Sequence, residues 1–245
     1  MEETRKQRTV LSPLIIGICL MISAAIWAAA YYYKDINTSL SVTGSASKEV
    51  ISDSAKFTGD FSRIVKISAL KSGYAQMSND LKIVKDFLEE QGLDDKDVII
   101  STVSMNENYN YNSNNNYQTE KEYTLRQQVE VSSSDINKIT SLAKQTQNLI
   151  NKGVIFSTNP VEYYYTKLPE LRVTLLSDAI RDAKARAEKM AEATGKSVGG
   201  LKSAASGVVQ VLPSNSLEIS DYGAYDTSKI NKNVMVTVRA AFGLK

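Results

Sequence analysis

The chain has 245 residues, 42% of them hydrophobic, and its 29 Lys+Arg nearly balance 27 Asp+Glu. This supports a real core and excludes both a polycationic nucleic-acid binder and an acidic tail. With no histidine and one cysteine, Cys19, imidazole bases, imidazole-held metals, intrachain disulfides and thiolate zinc sites are excluded as well.

Residues 1–9 read MEETRKQRT, and Val10 to Ala30 follow as 21 residues without a charge. At about 1.5 Å per residue the run matches the roughly 30 Å hydrocarbon thickness of a bilayer. Arg5, Lys6 and Arg8 precede it and Tyr31–Tyr33 follow it. Basic residues favour the cytoplasmic side and tyrosines the interface. The expected organisation is a cytoplasmic segment over 1–9, a single transmembrane anchor over 10–33 and an extracytoplasmic domain over 34–245. The alternative is a secreted protein, cut by a signal peptidase after the small residues Ala28–Ala30.

In the polar remainder, alternation of apolar and polar residues predicts strands over Leu40–Thr43, Ala55–Phe61, Val98–Met105, Tyr123–Val131, Val154–Phe156, Val208–Leu212 and Val234–Phe242. Gly44 predicts a bend after the first. Spacings of three and four predict three amphipathic helices. The first carries Leu70, Tyr74, Met77, Leu81, Val84 and Leu88 and stops at Gly92. The second, capped by Ser133 or Ser134, carries Ile136, Ile139, Leu142, Ala143, Leu149 and Ile150 before Gly153. The third carries Leu176, Ile180, Ala183, Ala187, Met190 and Thr194 before Gly195. Its other face pairs Asp178 with Arg181, Asp182 with Arg186 and Lys184 with Glu188. The fold class is therefore α+β: antiparallel sheet with three amphipathic helices packed on one side, after a transmembrane helix.

Candidate chemistry is sparse. Residues 106–117 read NENYNYNSNNNY, seven Asn and three Tyr. Tyr109, Tyr111 and Tyr117 offer area and a hydroxyl for a glycan or a neighbouring chain, against the plainer reading of a low-complexity hairpin loop. Tyr163, Tyr164 and Tyr165 form a candidate interaction surface, against the plainer reading of edge-strand packing. Ser52-Asp53-Ser54 has no activating histidine, and Ser45-Ala-Ser-Lys48 satisfies S-x-x-K without its companion motifs. Asp94-Asp95-Lys96-Asp97 lacks the glycine and glutamate of a calcium loop. No catalytic residue, cofactor or metal site is assigned.

The stretch SVTGSASKEVISDSAKF, with Val42, Gly44, Asp53 and Ala55, resembles the opening of the SIMPL domain family. Gly92 followed by Asp97-Val98, the Ala-rich AIRDAKARAEKMAEATGKSVGGL with Gly195 and Gly199, and the closing VMVTVRAAFGL are similar to later family segments. The resemblance spans roughly residues 40–245. It implies a bacterial protein that is periplasmic, secreted or membrane-anchored, loosely linked to oxidative or envelope stress, and in some cases oligomeric. It carries no catalytic residues to transfer. The expected function is non-enzymatic: self-association as a homo-oligomer, or binding of an envelope protein, with the bilayer contacted through 10–33 and no nucleic acid. The alternatives are a cell-wall or peptide hydrolase, and a ligand-binding module built on the Asn/Tyr-rich loop.

Overall fold

The structure is a computed structural model that describes residues 16–31, 38–108, 121–214, 216 and 222–245. Residues 16–31 are helical (α1), and all of them are exposed apart from the half-buried Gly17. Residues 10–15 and 32–33 of the expected anchor lie outside the described set. Among the described residues no helix is long and apolar enough to cross a membrane.

The order after α1 is β1 (Ser39–Ile51), β2 (Ser54–Lys66), α2 (Leu70–Glu90), β3 (Val98–Ile100), β4 (Ser104–Asn108) and β5 (Glu122–Ser133). Then come α3 (Ile136–Gln145), α4 (Gln147–Asn151), β6 (Phe156–Thr158), β7 (Glu162–Tyr164), α5 (Leu168–Glu192), β8 (Val198–Pro213), β9 (Ala224–Tyr225) and β10 (Asn231–Leu244). The expected α+β class holds, with two sheets. One has four strands in the order β1-β10-β8-β9; the other has six, in the order β3-β5-β2-β6 with β4 on β5 and β7 on β2. Every pair of the six-stranded sheet is antiparallel, and β8 meets β9 in a short parallel contact. The chain forms two compact units: the described parts of Met1–Ser47, Val173–Val208 and Met235–Lys245, and those of Lys48–Arg172 and Val209–Val234.

In the unit centred on 48–172, β2 and β5 run together over twelve register pairs, Ala55↔Ser133 to Lys66↔Glu122. Their alternation sends Ala55, Phe57 and Phe61 with Leu125, Val129 and Val131 into one core. Met77, Val84, Phe87 and Leu88 of α2, Ile139 and Leu142 of α3 and Leu149 of α4 close it. Two helix readings need correction. Tyr74 is exposed rather than on the buried stripe, and Gly73 takes its seat because a Cβ there would meet Val65 Cγ1 at 2.8 Å. The second helix breaks in two at Thr146, whose hydroxyl donates to Ala143 O (2.9 Å) and competes with helix continuation. Its N-cap is Asp135, which accepts from Lys138 N–H (3.0 Å), rather than a serine. Within this core Arg63 grips Asp80 with two hydrogen bonds of 2.7 and 2.8 Å, and Asp80 is buried.

In the other unit, Ser197 and Lys245 exchange two backbone hydrogen bonds (2.9 and 2.8 Å), the pattern of antiparallel neighbours. Val42, Ala183, Ala187, Ala240 and Phe242 form its core. Helix α5 supplies Ala183 and Ala187 to this core. The bend expected after Gly44 is absent: β1 runs straight through it. Gly44 is needed for close approach instead, since a Cβ would strike Ala179 O and Ala183 N and lie 2.7 Å from Ala183 Cβ. Ala183 and Ala187 of the predicted α5 stripe are fully buried; Leu175, Ala179 and Ala191 complete it in place of Leu176 and Ile180, which are half-buried, and Met190 and Thr194 are exposed. All three predicted ion pairs form: Arg181–Asp178 at 3.0 Å, Arg186–Asp182 at 2.8 Å and Lys184–Glu188 at 3.7 Å.

Candidate interaction surfaces

The three consecutive tyrosines do not act together, because a strand sends successive side chains to opposite faces. β7 lies antiparallel to β2, pairing Ala55 with Tyr163 and Lys56 with Glu162. Tyr163 faces inward, is buried, and its hydroxyl meets Thr140 Oγ1 at 3.1 Å. As part of an exposed surface, Tyr163 is therefore a correction: it belongs to the core. Tyr165 is half-buried, and its backbone N–H donates to the Tyr225 hydroxyl (3.0 Å). Tyr164 turns the other way, into a polar cluster. Tyr109, Tyr111 and Tyr117 lie outside the described residues.

The cluster is built on β2 and β7. Lys56 Nζ is 3.0 Å from Glu162 and 4.0 Å from Glu130. It also stands 5.9 Å from the centroid of the Tyr164 ring. Tyr164 donates its hydroxyl to Glu162 (3.0 Å) and tilts against Tyr225, with centroids 6.0 Å apart. The hydrogen bond to Glu162 holds the Lys56 ammonium above its ordinary range, and the same bond holds the Glu162 carboxyl below the usual carboxylate range. Burial, then the bond to Glu162, pushes the Tyr164 phenol up. All three groups are thus moved further from neutrality, which makes a fixed polar platform.

Lys232, at the start of β10, is the exception. Its residue is 0% exposed, its ammonium donates to Asp226 O, and it sits 5.7 Å from the centroid of Tyr225. Burial pushes this lysine below its usual range, with partial opposition from the Asp226 carboxylate. Nothing in the local sequence signals it, since an isolated lysine at a strand start ordinarily snorkels to water. The segment carrying Asp226 is fastened by several bonds. Tyr163 N–H donates to Thr227 O (2.7 Å), and Ser52 donates to Ile230 O through both its N–H (2.9 Å) and its hydroxyl (3.0 Å). Asp53 accepts from Thr166 N–H (2.7 Å) and hydroxyl (2.9 Å). Ser52 and Asp53 are therefore fasteners of the turn. Ser45 and Lys48 are three apart on β1, so their side chains leave opposite faces and form no dyad. Asp94 is paired to Lys96 at 2.9 Å, and among the described residues no three carboxylates cluster to hold a metal.

The second surface is an edge. β8 has β10 on one side and β9 on the other, but β9 reaches only Gln210 and Val211. Gly200 to Ser206 are exposed without interruption, so neither face of that stretch is covered. Among the described residues no strand pairs with its far side. The opposite edge of the same sheet is β1. There Ser45 N–H donates to the Asp182 carboxylate (2.8 Å), which Arg186 also holds at 2.8 Å. These two bonds keep the Asp182 carboxyl below the usual range.

The family model named SIMPL, described as a protein of unknown function (DUF541), matches residues 40–241. The chain belongs to the SIMPL family. No curated protein matches it. The match reaches from β1 to within β10, so it takes in both units and every surface described above. Three residues through which the sequence resembles the SIMPL family now have structural roles. Gly44 lets α5 close on β1, Asp53 fastens Thr166, and Ala55 is fully buried in the six-stranded sheet.

Proposed function

We propose that this SIMPL protein is a membrane-tethered, extracytoplasmic interaction module that works by self-association and not by catalysis. The observation that carries this reading is the open edge of β8 over Gly200–Ser206. An exposed strand edge presents a row of backbone donors and acceptors and is a template for another strand. The Lys56–Glu162–Tyr164 cluster supports the non-catalytic part, because its groups are held away from the neutral range that proton transfer uses.

The tether is α1 together with the charge-free residues that precede it. Its apolar side chains, including Ile18, Leu20, Ile22, Ile26 and Trp27, are exposed all round, the pattern of a helix that faces lipid. Arg5, Lys6 and Arg8 before the apolar run support a cytoplasmic N-terminus, with the remainder of the chain outside. A part in envelope or oxidative stress would then run through contacts made at the outer surface. Sedimentation of the full chain in mild detergent tests the assembly, with a species above the monomer expected and a pure monomer at high concentration overturning it. Alkaline extraction of membranes tests the tether, with the protein expected in the pellet; release into the supernatant overturns it.

A further inference from the structure

We propose that β8 of one copy pairs antiparallel with β8 of a second copy across a twofold axis near Ser203, joining two four-stranded sheets into one. This rests on the self-association reading above and adds which edge pairs with which.

The argument begins with the difference between the two edges of the sheet. β1 is guarded: its Ser45 N–H is already taken by Asp182, which Arg186 pins in place. A strand arriving at β1 would have to displace a charge-assisted bond. On β8, among the described residues, no strand pairs with the far side of Gly200–Ser206, where both faces are exposed. Head-to-tail growth needs two different open edges, whereas one open edge used twice gives a closed twofold pair. The sheet with one open and one guarded edge therefore stops at two copies.

The side chains fit this pairing. Gly200-Leu-Lys-Ser-Ala-Ala-Ser206 is small and carries one cation and no anion. A twofold axis through Ser203 sets Lys202 directly opposite Ala204 of the second copy, so the lysines do not face each other. Directly opposed like charges would be destabilising. Overlap of this stretch forms roughly one interstrand hydrogen bond per residue. It also brings Leu201, 49% exposed in the single chain, against a neighbouring strand.

The test is cysteine cross-linking of the full chain in mild detergent, in a Cys19→Ser background. Ser203→Cys alone is expected to give a covalent dimer as the main species on mild oxidation, since opposed Cβ atoms near a twofold axis lie within disulfide reach. Thr43→Cys, on β1, is expected to give none. The double variant Thr43→Cys/Ser203→Cys is expected to stop at the dimer. Circular dichroism of each variant confirms folding before oxidation. A chain that sediments as a monomer overturns the self-association reading and this inference together. A chain that associates while Ser203→Cys stays uncrosslinked overturns only the pairing. So does a double variant that climbs to a ladder beyond the dimer, which would mean β8 meets β1.

Discussion

Replacing Gly44 by alanine is expected to destabilise the α5–β1 unit by about 3 kcal/mol, at the upper end of the usual cost of overpacking. The new Cβ would meet Ala179 O, Ala183 N and Ala183 Cβ, the last at 2.7 Å. Carbon atoms rest at about 3.5–4.0 Å, so α5 must retreat by about 1 Å, and a gap of that size forfeits roughly a quarter to a half of each contact it opens. The loss falls on the cluster of Val42, Ala183, Ala187, Ala240 and Phe242. Two of the three obstructing atoms are backbone and cannot swing aside. Ala183→Gly should therefore fail to rescue the variant and should add about 1 kcal/mol of helix cost of its own. Gly200→Ala is the contrast, because a Cβ there meets nothing within 4 Å and its φ is not in the left-handed region. That variant should gain about 0.4–1 kcal/mol through the unfolded chain. Urea unfolding followed by circular dichroism is the assay, with the Gly44→Ala midpoint falling by about 1 M for a slope near 3 kcal/mol per M. A Gly44→Ala midpoint indistinguishable from wild type, or full rescue by Ala183→Gly, would refute the close-packing argument.

Removing Arg63 strands the buried Asp80 carboxylate, so Arg63→Ala should cost about 3 kcal/mol in the same unfolding assay, more than Asp80→Asn, which leaves no buried charge. Asp53→Ala deletes two hydrogen bonds to Thr166 and should cost about 1 kcal/mol, read as a lower melting midpoint. Lys232 gives a pH signature. Its folded value lies below that of the unfolded chain, so between the two the folded state binds fewer protons and stability rises with pH. Unfolding measured from neutral to alkaline pH should show this rise in wild type relative to Lys232→Met; parallel curves would show that burial does not disfavour the ammonium.

Much of the fold was legible in the sequence because burial on one face leaves a written alternation. β2, β5 and β10 each place mostly apolar residues at alternate positions, and this marks all three as strands. β8 is legible only at its buried end. Val208–Leu212 is apolar, while residues 198–207 are mostly glycine, serine and alanine on an uncovered edge, where no hydrophobic pattern is required. The α5 stripe is legible at Ala183 and Ala187, but the bulkier Leu176, Ile180 and Met190 draw the rest of it off the buried line. The helix buries alanines instead, since only a small side chain lets it lie against Gly44. Tyr163–Tyr165 were legible as an edge strand, but treating them as one surface ignored the period of two that separates the buried Tyr163 from Tyr164. Lys56 and Tyr225, which meet Tyr164, and Lys232, which meets Tyr225, are far apart in sequence, and tertiary contact alone assembles them.

The most direct test of the central claim is the mass of the full chain in mild detergent, by light scattering, for wild type and Ala204→Lys. Wild type is expected as a dimer. The exposed Ala204→Lys substitution should return it to a monomer with the same circular dichroism spectrum, because the new lysine would face Lys202 of the second copy. A wild-type monomer, or a dimer indifferent to the added charge, would contradict assembly through the β8 edge.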